Sequence, residues 1–124
     1  MMKDTLYHYN CELIRVIDGD TLVAMVDLGF SVWSKVEVRL FGIDAPESRT
    51  KNLDEKKRGL ASKERVISLL EQNSGKFILK SCGVDKYGRA LGEIYLDSLG
   101  VVTVSQTLIN EGLAIGYWGG TKNK

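Results

Sequence analysis

Five runs of strand-forming residues, with one helical pattern between the third and the fourth, constrain this chain more than any other feature. Cys11-Glu12-Leu13-Ile14-Arg15-Val16 partly alternates apolar and polar residues and runs into Asp18-Gly19, a tight-turn dipeptide. Thr21-Leu22-Val23-Ala24-Met25-Val26 is rich in strand formers and stops at Asp27-Leu28-Gly29. Val36-Glu37-Val38-Arg39-Leu40 alternates apolar and charged, which predicts a strand with one face on a core. These three make an antiparallel meander.

Pro46, the only proline, then disfavours helix at Ala45. Residues 48–59 are polar and charged and read as a loop running into a helix. From Leu60 to Gln72 the pattern is helical: Leu60, Val66, Ile67 and Leu70 share an arc of about 120°. Lys63 lies inside that arc and has to snorkel. Asn73-Ser74-Gly75 stops the helix. Lys76 to Ser81 and Ala90 to Leu96 are the fourth and fifth strands, joined by a turn at Asp85-Lys86-Tyr87-Gly88. A further turn at Asp97-Ser98-Leu99-Gly100 precedes Thr103-Val104-Ser105-Gln106. That segment fits a capping box, with the Thr hydroxyl and the Gln amide satisfying free backbone N–H groups. It opens a short helix with Gly112 at its C′ position. Leu113 to Trp118 is a last extended stretch, and residues 119–124 form a frayed tail.

Five short strands with a helix after the third match an OB-fold. The expected fold is mainly β: a five-stranded Greek-key barrel with two or three short α-helices. At 124 residues the chain is expected to be a single domain over 1–124. No apolar run approaches the ~20 residues that span a bilayer, so no membrane partner is expected. Met1 to Asn10 has no apolar segment of a secretory signal, which favours a cytoplasmic location; a monomer is expected. Cys11 and Cys82 show no metal-ligand spacing and read as two reduced, mostly buried thiols.

Against this frame stand three acids and two arginines: Asp20, Asp44, Glu47, Arg39 and Arg89. Carboxylates hold hard divalent cations through oxygen. Arginines grip phosphate with planar, permanently charged forks. Both types at strand ends and turns point to metal-assisted phosphodiester chemistry. Plainer readings stand beside it. Asp18-Gly19 also serves as a simple hairpin turn, and Arg39 also reads as half of a surface ion pair worth ~0–1 kcal/mol. Asp85-Lys86-Tyr87-Gly88-Arg89 is either a solvated corner or a phosphate clamp with a stacking surface. The run from Arg49 to Arg65 reads as a solvated face, with a groove-lining role for Lys51, Lys56 and Lys57 as its alternative. Tyr117-Trp118 is a packed terminus or a base platform.

Four segments taken together resemble the staphylococcal (micrococcal) nuclease family. They are Val16-Ile17-Asp18-Gly19-Asp20-Thr21, the stretch from Arg39 to Glu47, Asp85-Lys86-Tyr87-Gly88-Arg89, and the stretch from Leu108 to Ala114. The resemblance covers roughly residues 11 to 118. It implies a Ca2+-dependent, sugar-nonspecific nuclease that cuts DNA and RNA and leaves 3′-phosphates and 5′-hydroxyls. It also implies roles: Asp20, Asp44 and the Ala45 backbone carbonyl on the metal, Glu47 on the attacking water, Arg39 and Arg89 on the scissile phosphate. Lys86 and Tyr87 match nucleotide-contacting positions, and Tyr117 aligns with a nucleotide-contacting aromatic. Single-stranded or frayed nucleic acid is the expected partner, because bases must be reachable for stacking. A binding module that holds nucleic acid or protein without cutting is the alternative, favoured where an acid or arginine of the set is lost; none is lost here. The net charge of +1 adds one expectation. Attraction for a polyanion has to come from the local cluster and its metal.

Overall fold

The computed structural model describes residues 6–96 and 102–117. Its elements in chain order are β1 (His8–Asp18), β2 (Thr21–Asp27), β3 (Trp33–Leu40), β4 (Ile43–Asp44), α1 (Leu53–Glu71), β5 (Lys76–Val84), β6 (Ala90–Tyr95), α2 (Val104–Asn110) and β7 (Ile115–Gly116). Strands β1-β2-β3-β6-β5 close into a barrel, because β1 pairs with both β2 and β5. All pairings in it are antiparallel except β3 with β6, which run parallel over Val38–Leu40 and Ala90–Gly92. The expected Greek-key barrel is present, and closure leaves it no open edge.

The alternation in β3 works as its pattern requires. Val38 and Leu40 are buried in the barrel with Leu22, Ala24, Val26, Leu79 and Ile94, while Arg39 turns to the other face. Outside the barrel, β4 pairs with β7, so Ile43–Asp44 lies beside Ile115–Gly116, and the Tyr117 amide donates to the Gly42 carbonyl. The last extended stretch therefore has a function in the fold: it braces the segment between Leu40 and Glu47. The turn expected over Asp97–Gly100, Trp118 and the tail from Gly119 lie outside the described residues.

Helix α1 differs from the sequence expectation. It starts at Leu53 rather than near Leu60, because the Asn52 side chain caps it by accepting from the Glu55 amide at 3.0 Å. Its buried residues are Gly59, Ser62, Val66, Leu69 and Leu70. Leu60 is 42% exposed. At ~100° per residue it sits about 120° around the helix from Val66, outside the docking face. What turns the helix this way is Gly59. A Cβ there would lie 2.2 Å from the Glu47 carbonyl oxygen, so only glycine lets α1 seat on the backbone between Glu47 and Ser48. One turn on, Ser62 packs on Gly19 and donates its hydroxyl to the Leu113 carbonyl.

Helix α2 keeps half of its expected capping box. The Thr103 hydroxyl accepts from the Gln106 amide at 3.0 Å, but the Gln106 side chain donates to Asn110 Oδ1. At the other end Gly112 takes φ +74°, its amide bonds Ile109 O, and the Leu113 amide bonds Leu108 O, a Schellman closure. That closure delivers the Leu113 carbonyl to Ser62. Arg65 and Glu111 add a two-toothed ion pair between the helices at 2.8 and 2.9 Å.

Candidate active site

Asp20 closes the β1–β2 turn just before β2, and each of its oxygens accepts a hydrogen bond. Oδ1 accepts from the Thr21 hydroxyl and Oδ2 from the Ala45 amide, each at 2.9 Å. Ala45 is itself buried, so the carboxylate is pinned across the chain to the end of β4. Arg39, near the end of β3, lies over this junction. Its Nη1 donates to the carbonyls of Leu40 (2.8 Å) and Ile43 (2.9 Å), wrapping the turn at Phe41-Gly42. Its Nη2 stands 3.7 Å from Asp20 Oδ2 and 3.6 Å from Asp44 Oδ1. The guanidinium thus screens two carboxylates that would otherwise repel each other. The side chain of Arg39 is only 13% exposed, which removes the surface ion-pair reading.

The next residues are held by a second acid. Asp18 is buried; its Oδ1 accepts the Ser48 amide at 3.1 Å and the Ser48 hydroxyl in a short bond, and Oδ2 lies 3.4 Å from Arg49. Asp18 and Asp20 therefore grip the two ends of Ala45-Pro46-Glu47-Ser48. Glu47 stands between those grips, exposed, with its amide donating to Glu55 at 3.4 Å. Sequence reasoning passed over Asp18 as a turn residue. The signal for it was a second acid two positions before Asp20, which reads as a turn until Ser48 is brought to it.

Arg89 is positioned by its own turn. Asp85 Oδ1 accepts the amides of Tyr87 and Arg89 at 2.9 Å, and Oδ2 accepts Arg89 Nε at 2.7 Å. Glu37 on β3 adds a looser contact at 3.9 Å. Burial pushes the Asp85 carboxyl up, but the Arg89 and Tyr87 amides and the Arg89 guanidinium outweigh it and hold the group below the usual carboxylate range. Tyr87 is 71% exposed, with Lys86 Nζ 5.3 Å and the Arg89 guanidinium carbon 5.4 Å from its ring centre. Two cations thus lie within cation–π reach of one aromatic ring. Asp85 and Glu37 were missed in the sequence; the i, i+4 spacing of Asp85 and Arg89 was the available clue.

All the residues expected to act together line one open cleft: Asp20, Arg39, Asp44, Ala45, Glu47, Lys86, Tyr87, Arg89 and Tyr117. Its volume of about 1720 Å³ exceeds the ~300–1,000 Å³ of small-molecule pockets. Of the charged run, Arg49 and Arg58 line the cleft, whereas Lys51, Lys56 and Lys57 do not.

Among the described residues no three His, Cys, Asp or Glu side chains converge as a metal cluster. Asp20 and Asp44 converge as a pair on one guanidinium nitrogen. Two carboxylates without thiol or imidazole fit a hard cation that completes its shell with carbonyl and water oxygens, and do not fit zinc.

A closed five-stranded barrel with acids and arginines gathered in one cleft defines an OB-fold with a charged groove. The chain belongs to the staphylococcal nuclease homologue family, which matches it over residues 37–124. It is 36% identical over 108 residues to endonuclease YncB of Bacillus subtilis, covering 85% of this chain and 46% of that protein. It is 29% identical over 112 residues to a micrococcal nuclease of Shigella flexneri, covering 86% and 57% respectively. It is also 35% identical over 105 residues to the SPbeta prophage-derived endonuclease YokF of Bacillus subtilis, covering 82% and 32%. The chain spans about half the length of YncB and of the Shigella flexneri nuclease.

Proposed function

We propose that this chain is a metal-dependent nuclease that hydrolyses phosphodiester bonds of DNA and RNA, with unpaired strands as its better substrate. One observation carries the reading. The Arg39 guanidinium lies within 4 Å of both Asp20 and Asp44, in the same cleft as Arg89. Two phosphate-gripping forks beside two cation-holding carboxylates make a specific combination, and an ion pair alone does not call for it. The family and the names of its similar proteins support the same class of reaction.

Asp20, Asp44 and the Ala45 carbonyl would hold Ca2+, which when bound supplies positive charge against the phosphoryl oxygens. Arg39 and Arg89 bind the non-bridging oxygens of the scissile phosphate. Negative charge grows there as the attacking water adds, and fixed donors aimed at it lower the barrier, commonly the largest single contribution to catalysis. Glu47 accepts the proton of that water, acting as general base from its exposed place at the cleft. Lys86, Tyr87 and Tyr117 hold the neighbouring nucleotide, with a base stacked on an aromatic ring for roughly 1–3 kcal/mol. The bond broken is 5′ P–O; the departing 5′ oxygen takes a proton from solvent in the open cleft, leaving 3′-phosphate and 5′-hydroxyl ends.

The test is a digest of labelled single-stranded DNA and RNA with calcium, magnesium or a chelator, with end-group analysis of the products. Cleavage is expected with calcium, lost with chelator, and ending in 3′-phosphates. No cleavage with either metal, but retained strand binding, assigns the chain to the binding-module role instead.

A further inference from the structure

Two cations line the cleft that the proposed chemistry leaves unused. Arg49 follows Ser48, and Arg58 sits on α1. Both are anchored to the Glu47 segment. Arg58 immediately precedes Gly59, the residue that seats α1 against the Glu47 carbonyl. Arg49 immediately follows Ser48, whose amide and hydroxyl are fixed by Asp18. The α1 face that reaches the cleft is built from Glu55, Arg58, Ala61 and Ser62, residues three and four apart.

The charges around them are unequal. Glu55 accepts from the Glu47 amide, and Asp18 is already bonded by Ser48. Arg49 has one long contact to Asp18 and a side chain 74% exposed. Arg58 is exposed and makes no ion pair among the described residues. A guanidinium with no carboxylate in ion-pair contact keeps its fork available, and that fork engages two phosphate oxygens at once. Arg39 and Arg89, by contrast, are supplied by β3 and the β5–β6 turn.

We propose that Arg58, with Arg49 beside it, forms a second phosphate site, for a non-scissile phosphodiester of the bound strand. The identity of that ligand rests on the nuclease reading. A substrate with a single phosphodiester engages only the inner pair of arginines. A longer strand engages both pairs, so the site makes the protein select for strand length. The lysines of the same run take no part, because they do not line the cleft.

The experiment compares Arg58→Gln and Arg49→Gln with Lys56→Gln as the control. Two substrates are used: a dinucleotide with one phosphodiester, and a single strand about ten nucleotides long, within the usual span of an OB-fold site. Arg58→Gln is expected to lower kcat/KM about tenfold more on the longer strand than on the dinucleotide, with a smaller excess for Arg49→Gln. Equal losses on both substrates overturn the proposal. Binding of a labelled oligothymidine is then followed against salt by fluorescence anisotropy. The log–log slope should fall by ~0.7 for Arg58→Gln and stay unchanged for Lys56→Gln. An unchanged slope for Arg58→Gln, or an equal change in both, overturns it as well. If the unmutated protein cuts neither substrate, the nuclease reading fails on its own, and the salt slope still decides the phosphate site.

Discussion

Asp85 holds Arg89 by both its backbone and its side chain. One carboxylate oxygen accepts the Arg89 amide and the other accepts Arg89 Nε, at 2.9 and 2.7 Å. The turn and the guanidinium are therefore set by a single group. Asp85→Asn should lower kcat on the order of tenfold by releasing the fork from its aim. It should also change the acid limb of stability. The folded carboxyl lies below its ordinary 3.8, so its contribution is complete above that value and is lost as pH falls through the lower folded value. Thermal midpoints of the protein and Asp85→Asn measured from pH 6 down to pH 2 should therefore converge at the acid end. Parallel curves across the whole range would show that Asp85 carries no such linkage.

Arg39 makes contacts that a lysine cannot reproduce. Nη1 spans two carbonyls while Nη2 faces two carboxylates. Arg39→Lys keeps the charge and loses the fork, so turnover should fall by roughly 10²-fold or more. The lost carbonyl bonds should cost about 1–2 kcal/mol in urea unfolding. Near-full activity in this variant would remove Arg39 from the phosphate clamp.

Gly59→Ala tests how the helix sets the site. The added methyl meets the Glu47 carbonyl at 2.2 Å, and a backbone neighbour cannot swing aside as a flexible side chain can. We expect a loss of ~1–3 kcal/mol from overpacking, and lower activity because Glu47 moves with its backbone. A variant as stable and active as the original would mean α1 docks elsewhere.

The two thiols should behave differently from free cysteine. Burial, with a smaller push from Asp27, raises the Cys11 thiol to about 12 despite an opposing backbone hydrogen bond at Leu79. Partial burial, followed by Glu93, raises Cys82 as well. At pH 8 a thiol reagent should label Cys82 slowly and Cys11 only after denaturant is added. The folded Cys11 thiol stays neutral past its ordinary 9.0, so this group stabilises the fold fully below that pH. That contribution is lost as pH rises towards about 12. Rapid labelling of two thiols per chain in the native protein would contradict the burial of Cys11.

Much of the barrel was legible because strand alternation is a local property. Val36 to Leu40 announces which side faces the core whatever the partners are, and β3 follows it. The Schellman closure at Gly112 was legible for the same reason, since its bonds join neighbours in sequence. The start of α1 was not. Lys56, Lys57 and Arg58 look like loop residues until Asn52 caps them, and Leu60 looks like core until Gly59 turns it outward.

The sequence by itself determined the kinds of chemistry available: oxygen ligands, arginine forks, an aromatic between cations, and strands to hang them on. Only the tertiary structure decided which of these meet. Asp18 reaches Ser48 across 30 positions, Asp20 reaches Ala45 across 25, and Ser62 reaches Leu113 across 51. No local pattern encodes such contacts, because they depend on how the barrel closes and on where a single glycine lets a helix sit.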